Sequence, residues 1–311
     1  MKKKHFRMKK KFWIILALLV VLIIGIISYN KYHAYVTSSK YLLEKKGYTE
    51  KQINDIISNK DIVSTLLEKD YNEYIIDIMT SKYYLAKNLD KYLEYKAKYK
   101  DKDNKDVIAI INVGANVDWY SKSKEADTSK GNLMLVNKFN YLNQDYQIDD
   151  LVDMSLTYAF NGKQVRKEVN DNFKALANTA KKENLTILAN STYRTYAYQE
   201  KTYNSVKSSN GKTYADKFAA RPGFSEHQTG LAIDVSTKHS TMENFKDSEE
   251  YKWLQDHAHE YGFILRYPEG KEYLTGYSYE SWHYRYVGIK AATQIKNEGI
   301  TFDEYYAYYV E

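Results

Sequence analysis

The chain of 311 residues contains no cysteine, which excludes disulfides, thiolate metal ligation, a cysteine nucleophile and a lipidated cysteine. Any metal must therefore be held by histidine and carboxylates, and an exported form would depend on its core for stability. Proline is almost absent, with two residues, and no low-complexity tail interrupts the chain. A surplus of positive charge is also missing from most of the molecule. The formal net charge is +6, but the opening "MKKKHFRMKKK" carries seven of the 46 basic residues, which leaves 39 against 40 acidic ones. With the remainder near neutral and no basic stripe along it, a nucleic-acid partner is not expected.

The basic cluster, residues 1–11, is followed by "FWIILALLVVLIIGIISY", Phe12 to Tyr29, an uncharged and almost wholly apolar run. At about 1.5 Å per residue it is just long enough to cross a hydrocarbon core of ~30 Å. Lysines on its N-terminal side predict a cytoplasmic start, with everything beyond Tyr29 outside the membrane. A cleaved signal peptide is the competing expectation, but the run exceeds a usual signal core and no small-x-small cleavage site follows. An uncleaved single-pass anchor over 12–29 is the reading adopted.

Length favours two folded units beyond the anchor. From Lys40 to about Lys100, apolar residues recur at spacings of three and four, which predicts helices. Gly47 suits the position after a helix end, and Thr49 with Gln52 forms a potential capping box. "LLEK" at Leu42 and again at Leu66 hints at related helical units. The charge run "KDKDNKD", Lys100 to Asp106, reads as a solvated linker, placing a helical spacer region over 30–105 and a second domain over 106–311. In that domain "DVIAIINVG" predicts a strand, "KEVNDNFKALANTAKKEN" a helix, and "LTILANSTYR" a core strand opening onto a loop. Strand "GLAIDV", a helix around "EYKWLQDHAHEYG", and strands "FILRYP" and "WHYRYVG" follow. This mixture lacks regular βαβ units and predicts an α+β fold: an antiparallel sheet flanked by helices. Tyrosine, at 33 residues against ten phenylalanines, suits either sugar-stacking surfaces or a compositional bias.

Along "GLAIDV" the two-residue period of a strand sends Leu231, Ile233 and Val235 to one face and Ala232, Asp234 and Ser236 to the other. His227 would lie ~20 Å from Asp234 on a straight strand, so Gly230 is expected to turn the chain back. In "YESWHYRYVG" the strand is expected to begin near Trp282, leaving Glu280 on a loop above the site. His227, Asp234 and His283 then make three nitrogen or oxygen ligands with a fourth position free, the pattern of a catalytic zinc. A carboxylate beside it can move protons. His257 and His259, two apart on a helix, do not share a face and are not expected to act jointly. His5, His33 and His239 have no partner at useful spacing. For Arg266 and Arg285 structural ion pairs are expected rather than substrate contacts, and Trp282 is expected to pack beneath the site.

Four ordered motifs, "STYRTYAYQ" (Ser191 to Gln199), "SEHQTGLAIDV" (Ser225 to Val235), "GFILRYPEGKEYLTGY" (Gly262 to Tyr277) and "ESWHYRYVG", together resemble the D-alanyl-D-alanine carboxypeptidase family of zinc peptidases. That family includes the carboxypeptidases linked to vancomycin resistance and related L,D-carboxypeptidases of peptidoglycan. "LVNKFNYLNQDYQIDDLV", Leu135 to Val152, is similar to the family's opening segment, so the resemblance spans about Asp106 to Val310 and leaves out the anchor and the helical region. It implies His227, Asp234 and His283 as zinc ligands, Glu280 as general base, Arg194 as the group that steadies the oxyanion, and Gln199 and Ser225 as substrate contacts. Many members carry Pro where this chain has Ser281, which loosens the expected placement of Glu280. The implied activity is removal of the C-terminal D-alanine from peptidoglycan stem peptides by a membrane-held, outward-facing enzyme. Its rivals are an L,D-carboxypeptidase, an endopeptidase, and a non-catalytic wall-binding module, which predicts a lost ligand or base where none is lost.

Overall fold

The structure, a computed structural model, describes residues 10–240, 242 and 244–311. The basic cluster up to residue 9 therefore lies outside the described residues. Two compact units divide between Leu89 and Asp90, ahead of the charge run at which the sequence suggests a boundary.

The first unit is helical throughout: α1 (Lys10–Val36), α2 (Ser39–Lys46), α3 (Glu50–Ile56), α4 (Lys60–Glu68) and α5 (Ile75–Met79). Helix α1 is, among the described residues, the one helix long and apolar enough to cross a membrane, and its side chains are exposed along its length. Each short helix after it has a local start or stop signal. Gly47 closes α2 in the left-handed conformation, where a Cβ would be strained, and Thr49 and Gln52 form the reciprocal capping box of α3. Leu43, Ile53, Leu66, Ile75 and Ile78 are fully buried. The two "LLEK" tetrads are not equivalent: Leu42 is exposed and Leu43 buried in α2, whereas in α4 the first leucine, Leu66, faces the core. They are coincidences of composition.

The second unit begins within α6 (Leu89–Lys98), which α7 (Asn104–Asn112) follows. Here the expected strand over "DVIAIINVG" is overturned. Val107 to Ile111 are all buried, so the run shows no alternation to distinguish helix from strand. Asp103 decides the matter locally, because its side chain accepts a hydrogen bond from Lys105 N at 2.7 Å and starts the helix.

The elements that follow are β1 (Lys124–Glu125), β2 (Asn140–Tyr141), β3 (Leu151–Asp153), β4 (Gln164–Arg166), α8 (Lys167–Lys182), β5 (Leu188–Ser191), α9 (Tyr196–Asn210), α10 (Lys212–Phe218) and β6 (Ala232–Ser236). The chain ends with α11 (Glu249–His257), β7 (Phe263–Leu265), α12 (Glu272–Thr275), β8 (His283–Tyr286), α13 (Ile289–Glu298) and α14 (Phe302–Tyr309). Strands β5-β6-β8-β7 form one fully antiparallel sheet in that spatial order, in agreement with the expected α+β class.

The register of this sheet sorts its residues. Ile233 pairs with Tyr284, and Tyr284 with Leu265; one step along, Asp234 pairs with His283. Because neighbouring positions point to opposite faces, the first row joins the core and the second faces away from it. The core face packs on α8 through Val169, Phe173, Leu176 and Ala180, an i, i+4, i+7 stripe on an otherwise polar helix. Removing the buried Phe173 ring would cost about 3–5 kcal/mol. The opposite face carries Asp234, His283 and Arg285, and α14 closes over its far end, with Phe302 against both Arg266 and Arg285.

Candidate metal centre

Each candidate ligand reaches the polar face by a different device. Asp234 projects directly from the middle of β6, and His283 is the first residue of β8, directly opposite it. His227 lies in a single 3-10 turn, Glu226–Thr229, which Gly230 ends at φ 69°. This is the expected reversal, and it brings His227 Nε2 to 3.3 Å from Asp234 Oδ2. His283 Nδ1 lies 2.9 Å from Asp234 Oδ1, and ligand atoms of all three residues fall within 4.8 Å of one another.

The rings are held in opposite senses. His227 Nδ1 lies 2.7 Å from the Thr192 carbonyl, so that nitrogen donates and Nε2 presents its lone pair to the cluster. His283 turns Nδ1 inward and places Nε2 3.4 Å from Glu226 Oε2. Burial, aided by Arg194, lowers the pKa of His227 to about 4, which keeps it neutral and able to ligate. Burial also opposes charge on His283, but hydrogen bonds to Asp234 and Glu226 outweigh it and raise the pKa to about 9. The negative potential that favours a proton there also favours a divalent cation. Two imidazoles and a carboxylate, with no thiolate in the chain, are a donor set that zinc accepts.

Glu280 lies on the loop before β8, as expected. The loop is tied at two points: Glu280 N donates to the Tyr267 carbonyl at 3.2 Å, and His283 N to the Glu280 carbonyl at 3.3 Å. Ser281 between them is buried. The carboxylate lies 3.9 Å from His283 Nδ1, beside the group formed by His227, Asp234 and His283 but not a member of it. Burial pushes its pKa up to about 7, with Asp234 and Glu226 adding to the effect and His283 and Arg194 opposing it.

Arg194 precedes α9, whose N-cap is Thr195. A bulge between Ala189 and Ser191 sets Ser191 opposite Asp234, and Ser191 Oγ accepts from Arg194 Nε and Nη2 at 3.0 and 2.6 Å. Arg194 Nη2 also donates to Asp234 Oδ2 at 2.9 Å, and Nη1 to Gln199 Oε1 at 3.4 Å. The amide of Gln199 is further engaged with the Ala220 carbonyl at 2.8 Å, so it braces Arg194 against the neighbouring loop. Ser225 is buried on the cavity wall. A cavity of about 180 Å³ opens over the cluster, and its lining includes Arg194, Gln199, Ser225, Glu280 and the three candidate ligands, together with Glu226, Tyr267, Tyr277 and Trp282. Trp282 thus packs against the core, as expected, and also faces the cavity.

Arg266 and Arg285 are fully buried and make ion pairs, as expected. Their partner Glu226 was not anticipated, nor was Asp303, which pairs with Arg266 at 2.6 Å. The nearest signal was the position of Glu226 directly before a candidate ligand. Asp303 sits within an ordinary capping pattern, "TFDE", and has no distinguishing mark. His257 Nδ1 lies 3.2 Å from Glu260 Oε1 on the surface.

The family model for the VanY D-alanyl-D-alanine carboxypeptidases matches residues 162–289. The candidate carboxypeptidase YodJ of Bacillus subtilis is 42% identical over 181 residues, covering 56% of this chain and 66% of YodJ. This chain thus spans just under two thirds of that relative. A D-alanyl-D-alanine carboxypeptidase of Enterococcus faecalis is 34% identical over 196 residues, covering 58% of this chain and 68% of the relative. Among solved structures the LdcB LD-carboxypeptidase, described for its recognition of peptidoglycan, superposes with a TM-score of 0.57 at 39% identity, over 60% of this chain and 91% of its own.

Proposed function

Because this chain belongs to the D-alanyl-D-alanine carboxypeptidase family, we propose that it is a zinc carboxypeptidase that removes the C-terminal D-alanine from peptidoglycan stem peptides. The observation that carries the reading is the convergence of His227, Asp234 and His283 within 4.8 Å, under a cavity that also presents Glu280 and Arg194. These three residues would hold the zinc. When bound, zinc supplies a Lewis acid and lowers the pKa of a coordinated water towards ~7.

Every other step is assigned to side chains. Glu280 takes the proton of the attacking water and returns it to the departing amine, and a group poised near neutrality by burial suits both directions of transfer. Arg194 faces the carbonyl oxygen as charge develops there, fixed in place by Ser191 and Gln199. Removing one such donor elsewhere costs about 3–4 kcal/mol of transition-state stabilisation. Ser225 and Gln199 shape the wall against which the peptide lies, and Tyr267 and Tyr277 narrow it. Helix α1 anchors the enzyme in the membrane with its N-terminal lysines on the cytoplasmic side and the catalytic unit outside. The helical residues after the anchor act as a spacer.

A second reading is favoured by the likeness to LdcB: an L,D-carboxypeptidase that takes D-alanine from tetrapeptide stems. One experiment serves both. Purified protein is given defined pentapeptide and tetrapeptide stems, and the products are weighed by mass spectrometry. Loss of D-alanine from the pentapeptide supports the first reading, and loss from the tetrapeptide alone the second. Glu280→Gln, which leaves the ligand set intact, should retain zinc while the rate falls by about 10²–10⁴-fold. Undiminished hydrolysis by this variant would remove Glu280 from the mechanism.

A further inference from the structure

Beneath the cluster lies a set of charges that the reaction does not use. Glu226, Arg266, Arg285 and Asp303 are each at most 2% exposed, and two cations face two anions, so the group is balanced without solvent. Its connections are asymmetric. Glu226 Oε1 accepts from Arg266 Nε at 2.7 Å and from Arg285 Nη1 at 2.9 Å, whereas Oε2 faces His283 Nε2 at 3.4 Å. Arg266 is clamped in turn by Asp303 through Nη1 at 2.6 Å and Nη2 at 3.3 Å, and Asp303 Oδ1 accepts from Asn137 Nδ2 at 2.8 Å. Arg285 is held by the carbonyls of Asn132 and Met134 at 2.9 and 2.8 Å. One carboxylate oxygen is thus consumed by guanidinium groups, and the other is directed at the outward nitrogen of a ligand histidine.

We propose that Glu226 is a positioning residue for the metal centre: it accepts the Nε2–H of His283, so that Nδ1 of that ring presents its lone pair to the metal, and Arg266 and Arg285 hold its other oxygen. The inference rests on the zinc reading above but concerns binding rather than hydrolysis. The Thr192 carbonyl does the same for His227 from the opposite ring nitrogen. A carboxylate acceptor does more than a carbonyl, because it also raises the basicity of the ligating nitrogen. A cluster with only a structural role would not need a free oxygen aimed at His283.

Zinc affinity of the full-length protein, measured by competition with a chromophoric chelator, tests the proposal. In Glu226→Gln the amide oxygen can still accept from both arginines, which leaves an NH₂ facing the Nε2–H of His283, donor against donor. Affinity should fall about 10–100-fold, and the cobalt(II)-substituted variant should show an altered absorption spectrum. Asp303→Asn disturbs the same cluster from its far end and leaves the Glu226 carboxylate in place. It should lower the melting temperature while zinc affinity stays within about threefold of wild type. Equal zinc affinity in Glu226→Gln and wild type, or equal losses in the two variants, would overturn the assignment. A reading that needs no variant is the ¹⁵N spectrum of zinc-loaded wild type, where His283 should carry a slowly exchanging, downfield Nε2–H; coordination through Nε2 would refute the proposal outright. None of these measurements involves substrate, so failure of the peptidase reading and failure of this one are distinguishable.

Discussion

Replacing Arg266 by methionine tests how the buried charges beneath the site are balanced. The guanidinium makes three hydrogen bonds, one to Glu226 and two to Asp303, and is wholly inaccessible to solvent. Methionine fills a similar length of side chain, so the loss is chiefly electrostatic. Without Arg266, Glu226 keeps Arg285, but Asp303 is left with the amide of Asn137, and the cluster carries one uncompensated negative charge. Breaking a buried pair in this way costs about 3–5 kcal/mol. For a unit of this size each kcal/mol lowers the melting temperature by about 2–4 °C, so a drop of about 6–20 °C is expected. Scanning calorimetry of the full chain in detergent, with a chelator present, measures this without the stabilisation that a bound metal adds. The double variant Arg266→Met, Asp303→Asn removes the orphaned charge along with its partner and should recover at least about 1.5 kcal/mol, a coupling that independent sites would not show. A single variant within 1 kcal/mol of wild type, or a double variant no more stable than the single, would refute the reasoning.

Two further outcomes are expected. Gly230→Ala places a Cβ at φ +69°, where it would meet side-chain carbons of Ile148, Arg166 and Leu151 at 3.1, 3.2 and 3.3 Å; denaturant titration should show a loss of about 1–3 kcal/mol, and zinc affinity should fall because the turn carries His227. Lys138 is enclosed by the Tyr277 ring at 4.3 Å and the carbonyls of Asp216 and Gly276, and burial lowers its pKa to about 8. Between that value and the unfolded one near 10.4 the unfolded chain binds more protons, so stability relative to Lys138→Met should rise with pH across this window, by at most about 1.4 kcal/mol per pH unit. A flat difference between pH 8 and 10 would show that the folded protein does not disfavour the ammonium.

The sequence by itself determined those features that depend on near neighbours. Gly47, Thr49 and Gln52 mark their helix ends because capping is settled within four residues. The stripe on α8 and the alternation in "GLAIDV" state which faces are buried, so the facing of Asp234 followed from strand parity alone. His227, His283 and Glu280 were legible because their residue types and motifs are unusual, and Gly230 announced the turn. Only the tertiary structure decided what depends on enclosure and distant partners. The helix over Val107 to Ile111 is not legible in the sequence because burial on all sides erases the period that would identify it. Glu226 took its place beside His283 because Arg266 and Arg285, 40 and 59 residues away, arrive just after β7 and within β8, two strands paired in the sheet. A carboxylate is stable in such a place only when cations from elsewhere in the chain surround it. No local pattern in a sequence records where those cations will come from.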